Sequence, residues 1–111
     1  IQAVQTITNL TEYIQQRLTP GGTKRNWMSY GNKIRLPKPS NATTLSDIFT
    51  EHYSTLSIAC DPQTSGGLLV AVEPQSTQEF LDVMHAHNLQ AYTTPIGKLI
   101  PRTTEEYVTI M

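Results

Sequence analysis

The sequence predicts an α+β domain, a mixed β-sheet layered with helices, and three observations carry that expectation. Apolar residues recur at steps of three and four near the start and again around residue 80, the period of amphipathic helices. A five-residue apolar run, Leu68-Leu69-Val70-Ala71-Val72, is bounded by turn formers and has the length of a buried strand. Shorter strand-like stretches follow it and no segment repeats, so sheet and helices intermix as in a layered domain.

Each element has its own local signal. Ile1, Val4, Ile7, Leu10, Ile14 and Leu18 share one face of a first helix, which Pro20-Gly21-Gly22 is expected to stop. A loop over 21–27 and a short strand at Ile34-Arg35-Leu36 come next. Pro37, Pro39, Ser40 and Asn41 mark a connector. Thr44 with Asp47 opens a second helix over Leu45, Ile48 and Phe49, ending near Tyr53. The main strand is 68–72, and after Pro74 the string Ser76-Thr77-Gln78-Glu79 reads as a capping box. It starts a third helix that turns Phe80, Leu81 and Met84 to the core and stops at Asn88. Ala91–Thr94, Ile96–Ile100 and Tyr107–Met111 read as short strands. The loop at 21–30 and the connector at 37–43 lack a periodic pattern and are expected to be the most mobile parts.

Composition limits both size and function. With 111 residues, 38% apolar and 15% charged, the chain is expected to be one domain with one small core. A net charge of −1 gives no electrostatic footprint for nucleic acid or an anionic membrane. No apolar run is long enough to cross a bilayer as a helix. The lone Cys60 cannot close an internal disulfide and is expected to pack as a small apolar side chain. His85 and His87 stand two apart on the third helix, where side chains diverge, so they are a poor metal pair; His52 looks exposed and carries no assigned role.

Two glycine-bearing strings concentrate the candidate chemistry. Asp61-Pro62-Gln63-Thr64-Ser65-Gly66-Gly67 runs straight into the apolar strand. Its glycines allow close backbone approach, Thr64 and Ser65 add hydroxyls, and Asp61 adds a carboxylate. Such a loop can bind an anion or simply turn the chain, with Asp61 closing an Asx-turn. At least one of Gly66 and Gly67 is expected to take a positive φ or to face a contact that a Cβ would block. The earlier string, Pro20-Gly21-Gly22-Thr23-Lys24-Arg25-Asn26-Trp27, follows a helix, so Gly21 can cap that helix while Gly22 and Thr23 present N–H and hydroxyl groups. Lys24 and Arg25 either attract phosphate or favour the negative end of the preceding helix, and Asn26 offers an amide donor and acceptor.

The strings Asp61–Val72 and Pro20–Trp27, together with Ile96-Gly97-Lys98-Leu99, resemble in order and spacing three segments of the selenophosphate synthetase family. The resemblance covers about Leu18 to Leu99. It implies a sheet layered with helices, as in the C-terminal domain of the aminoimidazole ribonucleotide synthetase superfamily. It also implies an enzyme that makes selenophosphate from selenide, ATP and water, releasing AMP and phosphate, with Mg2+ as cofactor. In that family the catalytic Cys or selenocysteine and the residues for ATP and Mg2+ lie in an N-terminal domain, and the whole chain is roughly three times this length. The expectation is therefore the later part of a C-terminal domain, inactive alone and without a bound cofactor. Its first partner is its own N-terminal ATP-binding domain, within a cytoplasmic homodimer. Gly21, Gly22, Thr23, Asn26, Asp61, Thr64, Ser65, Gly66 and Gly67 are the implied substrate-binding wall of the cleft, with no catalytic or metal residue among them. Another class stays open, a structural module whose loops dock on the N-terminal domain. A related kinase or synthetase of the superfamily is the third alternative, and the string DPQTSGG argues against it.

Overall fold

The computed structural model describes residues 1–37 and 40–111. Pro39, one of the connector's markers, lies outside the described residues. The class is α+β: five α-helices, three short 3-10 turns and one pair of parallel strands among the described residues. The chain divides into two compact units, residues 1–64 with 102–111, and residues 65–101.

In the first unit, helix α1 is Leu10–Gln15, much shorter than the periodicity from Ile1 to Leu18 suggests. It ends at Arg17, not at the glycines. Arg17 takes φ 61, its N–H reaches the carbonyl of Ile14 at 3.0 Å, and that of Leu18 reaches Tyr13 at 2.9 Å. These two bonds are a Schellman stop, unusual in using arginine at the left-handed position. Its guanidinium stacks over the Tyr53 ring at 4.1 Å, a contact that helps hold the turn.

The expected loop at 21–27 is instead helix α2, Gly21–Tyr30. Pro20, at φ −58 and ψ 145, leads into it. The motif thus starts one helix, where it was expected to cap another. Local propensity is poor for Gly-Gly-Thr, and burial overrides it: Trp27 and Thr23 are almost completely enclosed. Lys24 and Arg25 consequently sit at the positive end of a helix dipole, not the negative one.

Gly31 closes α2. A Cβ there would stand 2.7 Å from two indole carbons of Trp27, so only glycine lets the backbone lie on that ring. Strand β1, Ile34–Arg35, follows and pairs in parallel with β2, Val108–Thr109, matching Ile34 with Val108. Arg35 and Glu106 join their side chains at 3.1 Å beside that ladder.

Helix α3, Leu45–Glu51, begins where the sequence puts it, with the Thr44 hydroxyl accepting the Asp47 N–H at 3.2 Å. Helix α4, Tyr53–Ala59, was not anticipated; it follows α3 across His52 alone. The core of this unit is Trp27, Phe49, Leu56 and Cys60, with Ile34, Leu36, Leu45, Ile48 and Tyr53 packed around it. The Trp27 indole N–H donates to the Leu45 carbonyl at 2.6 Å, so the buried ring leaves no orphaned donor.

In the second unit, Leu68–Val72 belongs to no ladder among the described residues, and Leu68 is 94% exposed. The expected buried strand is therefore not formed among these residues. A 3-10 turn, Pro74–Ser76, leads into helix α5, Thr77–Ala86. The Ser76 side chain caps nothing, because the 3-10 turn already supplies the helix start, so the expected capping box is not made. Asn88 stops the helix as expected: its φ is 58, its N–H bonds His85 at 3.0 Å, and that of Leu89 bonds Met84 at 2.8 Å. Phe80, Leu81 and Met84 are only half-buried. The stretches 91–94 and 96–100 form no strands; Gln90–Tyr92 is a 3-10 turn.

Candidate functional site

The two glycine strings meet inside the first unit. The Asn26 amide donates to the Cys60 carbonyl at 2.9 Å, across 34 positions of sequence. One turn earlier on the same face of α2, Gly22 lies against Pro62. A Cβ on Gly22 would come within 2.8 Å of the Pro62 ring, so this seam requires glycine. Residues 60–62 are thus pinned at both their ends to the first turns of α2.

That geometry changes several roles. Asn26 spends its donor inside the fold, on a backbone carbonyl that would otherwise be left without a partner. Gly22 serves close packing. Thr23 is fully buried, and its hydroxyl has no partner. Gly21 is exposed, and a Cβ there would meet nothing. Asp61 accepts from the Gln63 side chain at 3.3 Å, and no backbone N–H of its loop reaches it, so the expected Asx-turn is replaced by a side-chain pair. Thr64 is exposed at the edge of this unit.

Cys60 is buried, as expected of a small apolar side chain, and desolvation pushes its thiol above the ordinary range. A raised thiol is a poor nucleophile at neutral pH. The same residue contributes its carbonyl to Asn26, so its backbone carries more of the site than its sulfur.

Ser65, Gly66 and Gly67 belong to the second unit and are exposed. Neither glycine takes a positive φ, and a Cβ on Gly67 would meet no atom within 4 Å. The expectation of a positive φ here is corrected, and Gly67 is not the crowded glycine that was expected.

One residue escaped the sequence signal. His52, expected to be exposed, has a side chain only 9% accessible, and its Nε2 has no hydrogen-bond partner. It lies at the join of α3 and α4, which nothing in the hydrophobic pattern announced. It borders a cleft of about 600 Å³ that also takes in Arg17, Tyr53 and Thr55 but none of the glycine-string residues. His85 and His87 are exposed. Among the described residues no three or more His, Cys, Asp or Glu side chains group as a metal site.

Comparison with known proteins agrees with the motifs. No family model matches the chain, and no solved structure matches it. Curated relatives do. The chain is 38% identical over 105 residues to a selenide, water dikinase of Haemophilus influenzae, covering 95% of this chain and 26% of that protein. It is 43% identical over 100 residues to the selenide, water dikinase of Pseudomonas putida, covering 90% and 24%. With that of Shewanella baltica it shares 39% over 108 residues, covering 97% and 26%. The chain spans about a quarter of the length of the relatives it matches, so they are nearer four times its length than three. Over nearly its whole length, then, the chain belongs to the selenide, water dikinase family as a segment of it.

Proposed function

We propose that these residues form part of an enzyme that makes selenophosphate from selenide, ATP and water, releasing AMP and phosphate. One observation carries this reading: Asn26 on Cys60 and Gly22 on Pro62 bind the two glycine strings into one piece. The chain runs on from that piece through the exposed Thr64, Ser65, Gly66 and Gly67, which this reading takes as a wall of the active cleft. Its hydroxyls and N–H groups contact a phosphate or a phosphorylated intermediate. Phosphoryl transfer rests on positioning and on neutralising charge, which such donors supply. ATP and Mg2+ are held by the N-terminal domain, and no step is assigned to either on these residues. The 111 residues are the later part of one C-terminal domain of the aminoimidazole ribonucleotide synthetase type. The whole is a cytoplasmic homodimer, and the segment alone is inactive.

A second reading rests on the same two contacts. Gly22 and Asn26 are both committed to internal packing, as a structural module docking on the N-terminal domain would require. Substitution in the full-length enzyme separates the two. Gly67→Ala meets no steric obstacle, so the enzyme stays folded. If the segment lines the cleft, selenophosphate formation falls strongly, and Thr64→Ala lowers it less. Near-normal turnover with unchanged thermal stability for Gly67→Ala rejects the cleft wall and favours the module.

A further inference from the structure

The cleft of about 600 Å³ in the first unit has a polar lining that packing does not explain. It is of a size that suits a small molecule. The His52 side chain on its border is 9% accessible, and its Nε2 has no hydrogen-bond partner among the described residues. An unpaired buried polar atom is costly, so folded proteins keep few of them. The Oε1 of Glu51 stands 3.9 Å from that nitrogen, too far for a hydrogen bond. The other carboxylate oxygen, Oε2, already accepts from the Ser40 hydroxyl. Arg17 borders the same cleft. Its guanidinium lies over the Tyr53 ring at 4.1 Å, and among the described residues no carboxylate pairs with it. Its backbone holds φ 61, a conformation that glycine or asparagine usually takes. Such an outlier costs free energy and is most frequent at functional sites. The Tyr53 hydroxyl is tied to that of Thr19 at 2.8 Å, which fixes the platform under the guanidinium.

We propose that this cleft binds a small anion that also carries a hydroxyl group, with its carboxylate or phosphate on Arg17 and its hydroxyl between His52 and Glu51. A guanidinium grips such oxygens with two parallel N–H donors, and stacking on Tyr53 restricts its motion beforehand. A hydroxyl both donates and accepts. It accepts from an Nε2–H of His52 and donates to Oε1 of Glu51, so one group serves the unpaired nitrogen and the nearby carboxylate together. An anion without a hydroxyl brings only acceptor oxygens towards Glu51 and is repelled there. The carboxylate thus selects hydroxylated anions over simple ones, an unfavourable contact that confers specificity. Ser54 and Thr55 add further polar groups to the border of the cleft.

Calorimetric titration of the full-length enzyme tests this, with glycerol 3-phosphate, glycerate and sulfate as probes. The first two separate a phosphate ester from a hydroxy acid, and sulfate has no hydroxyl to donate. At least one hydroxylated probe is expected to bind more tightly than sulfate. Arg17→Gly removes the guanidinium and keeps the left-handed turn, which glycine adopts freely. It should weaken that probe at least roughly 10-fold, the loss of one charge-assisted contact, in a protein that still melts cooperatively. Glu51→Gln should narrow the preference over sulfate, because the repelling charge is gone. Binding that Arg17→Gly leaves unchanged lies elsewhere and overturns the proposal, as does no measurable binding of either hydroxylated probe. Sulfate binding as tightly as both also overturns it, since the hydroxyl then has no part in recognition.

Discussion

Helices α4 and α5 show what separates the two units. Both carry an apolar face on a short helix, yet α4 buries Leu56 completely while α5 leaves Phe80, Leu81 and Met84 half in water. The difference is in what surrounds them. Helix α4 packs on α2 and α3, whose Trp27 and Phe49 close over it. Within its own unit, helix α5 is accompanied only by the 3-10 turns Pro74–Ser76 and Gln90–Tyr92 as regular elements. An amphipathic pattern specifies a helix, but burial needs a partner surface, and most helical stability in proteins comes from that surface. The first unit brings its partners within this chain. The second holds no other α-helix of its own for α5 to pack on.

The comparison breaks if unit 1 tolerates damage. Trp27→Ala removes the largest core side chain and should destabilise that unit by about 3–5 kcal/mol, seen as a lower urea midpoint by circular dichroism. Gly31→Ala sets a methyl against the indole at 2.7 Å and should cost about 1–3 kcal/mol in the same titration. A neutral Gly31→Ala would mean that the ring has room to move. Asn26→Ala strands the Cys60 carbonyl and should cost about 1–2 kcal/mol. In the full-length enzyme it should also lower turnover beyond what the unfolded fraction explains, since the strings part where they meet. Phe80→Ala sharpens the contrast from the other side. A buried phenylalanine would lose several kcal/mol, but this half-buried one should cost less than about 1 kcal/mol in the 111-residue chain.

Part of this was legible in the sequence, for local reasons. Thr44 and Asp47 mark the start of α3 because a cap is a contact three residues long. Asn88 marks the stop of α5 because asparagine accepts the left-handed conformation cheaply. The burial of Cys60 follows from its chemistry. The string Pro20-Gly21-Gly22 was misread as a stop, since proline and glycine punctuate helices at either end and only the distant burial of Trp27 decides which. The same holds at the candidate site. The strings were visible, but Asn26 meeting Cys60 is a contact 34 residues apart, and no periodicity encodes it. The strand at 68–72 was over-read because an apolar run reports the need for a ladder, not the presence of one.

The most direct test of the contrast is residue-resolved amide exchange on the 111-residue chain. The amides of Leu56 and Cys60, each bonded at 3.0 Å within α4, should open only with the unit as a whole. Those of His87 and Leu89 at the end of α5, bonded at 3.2 and 2.8 Å, should exchange at least roughly 100-fold faster, because little packing holds them. Comparable protection at the two helices would contradict the account, showing that the second unit completes a core of its own.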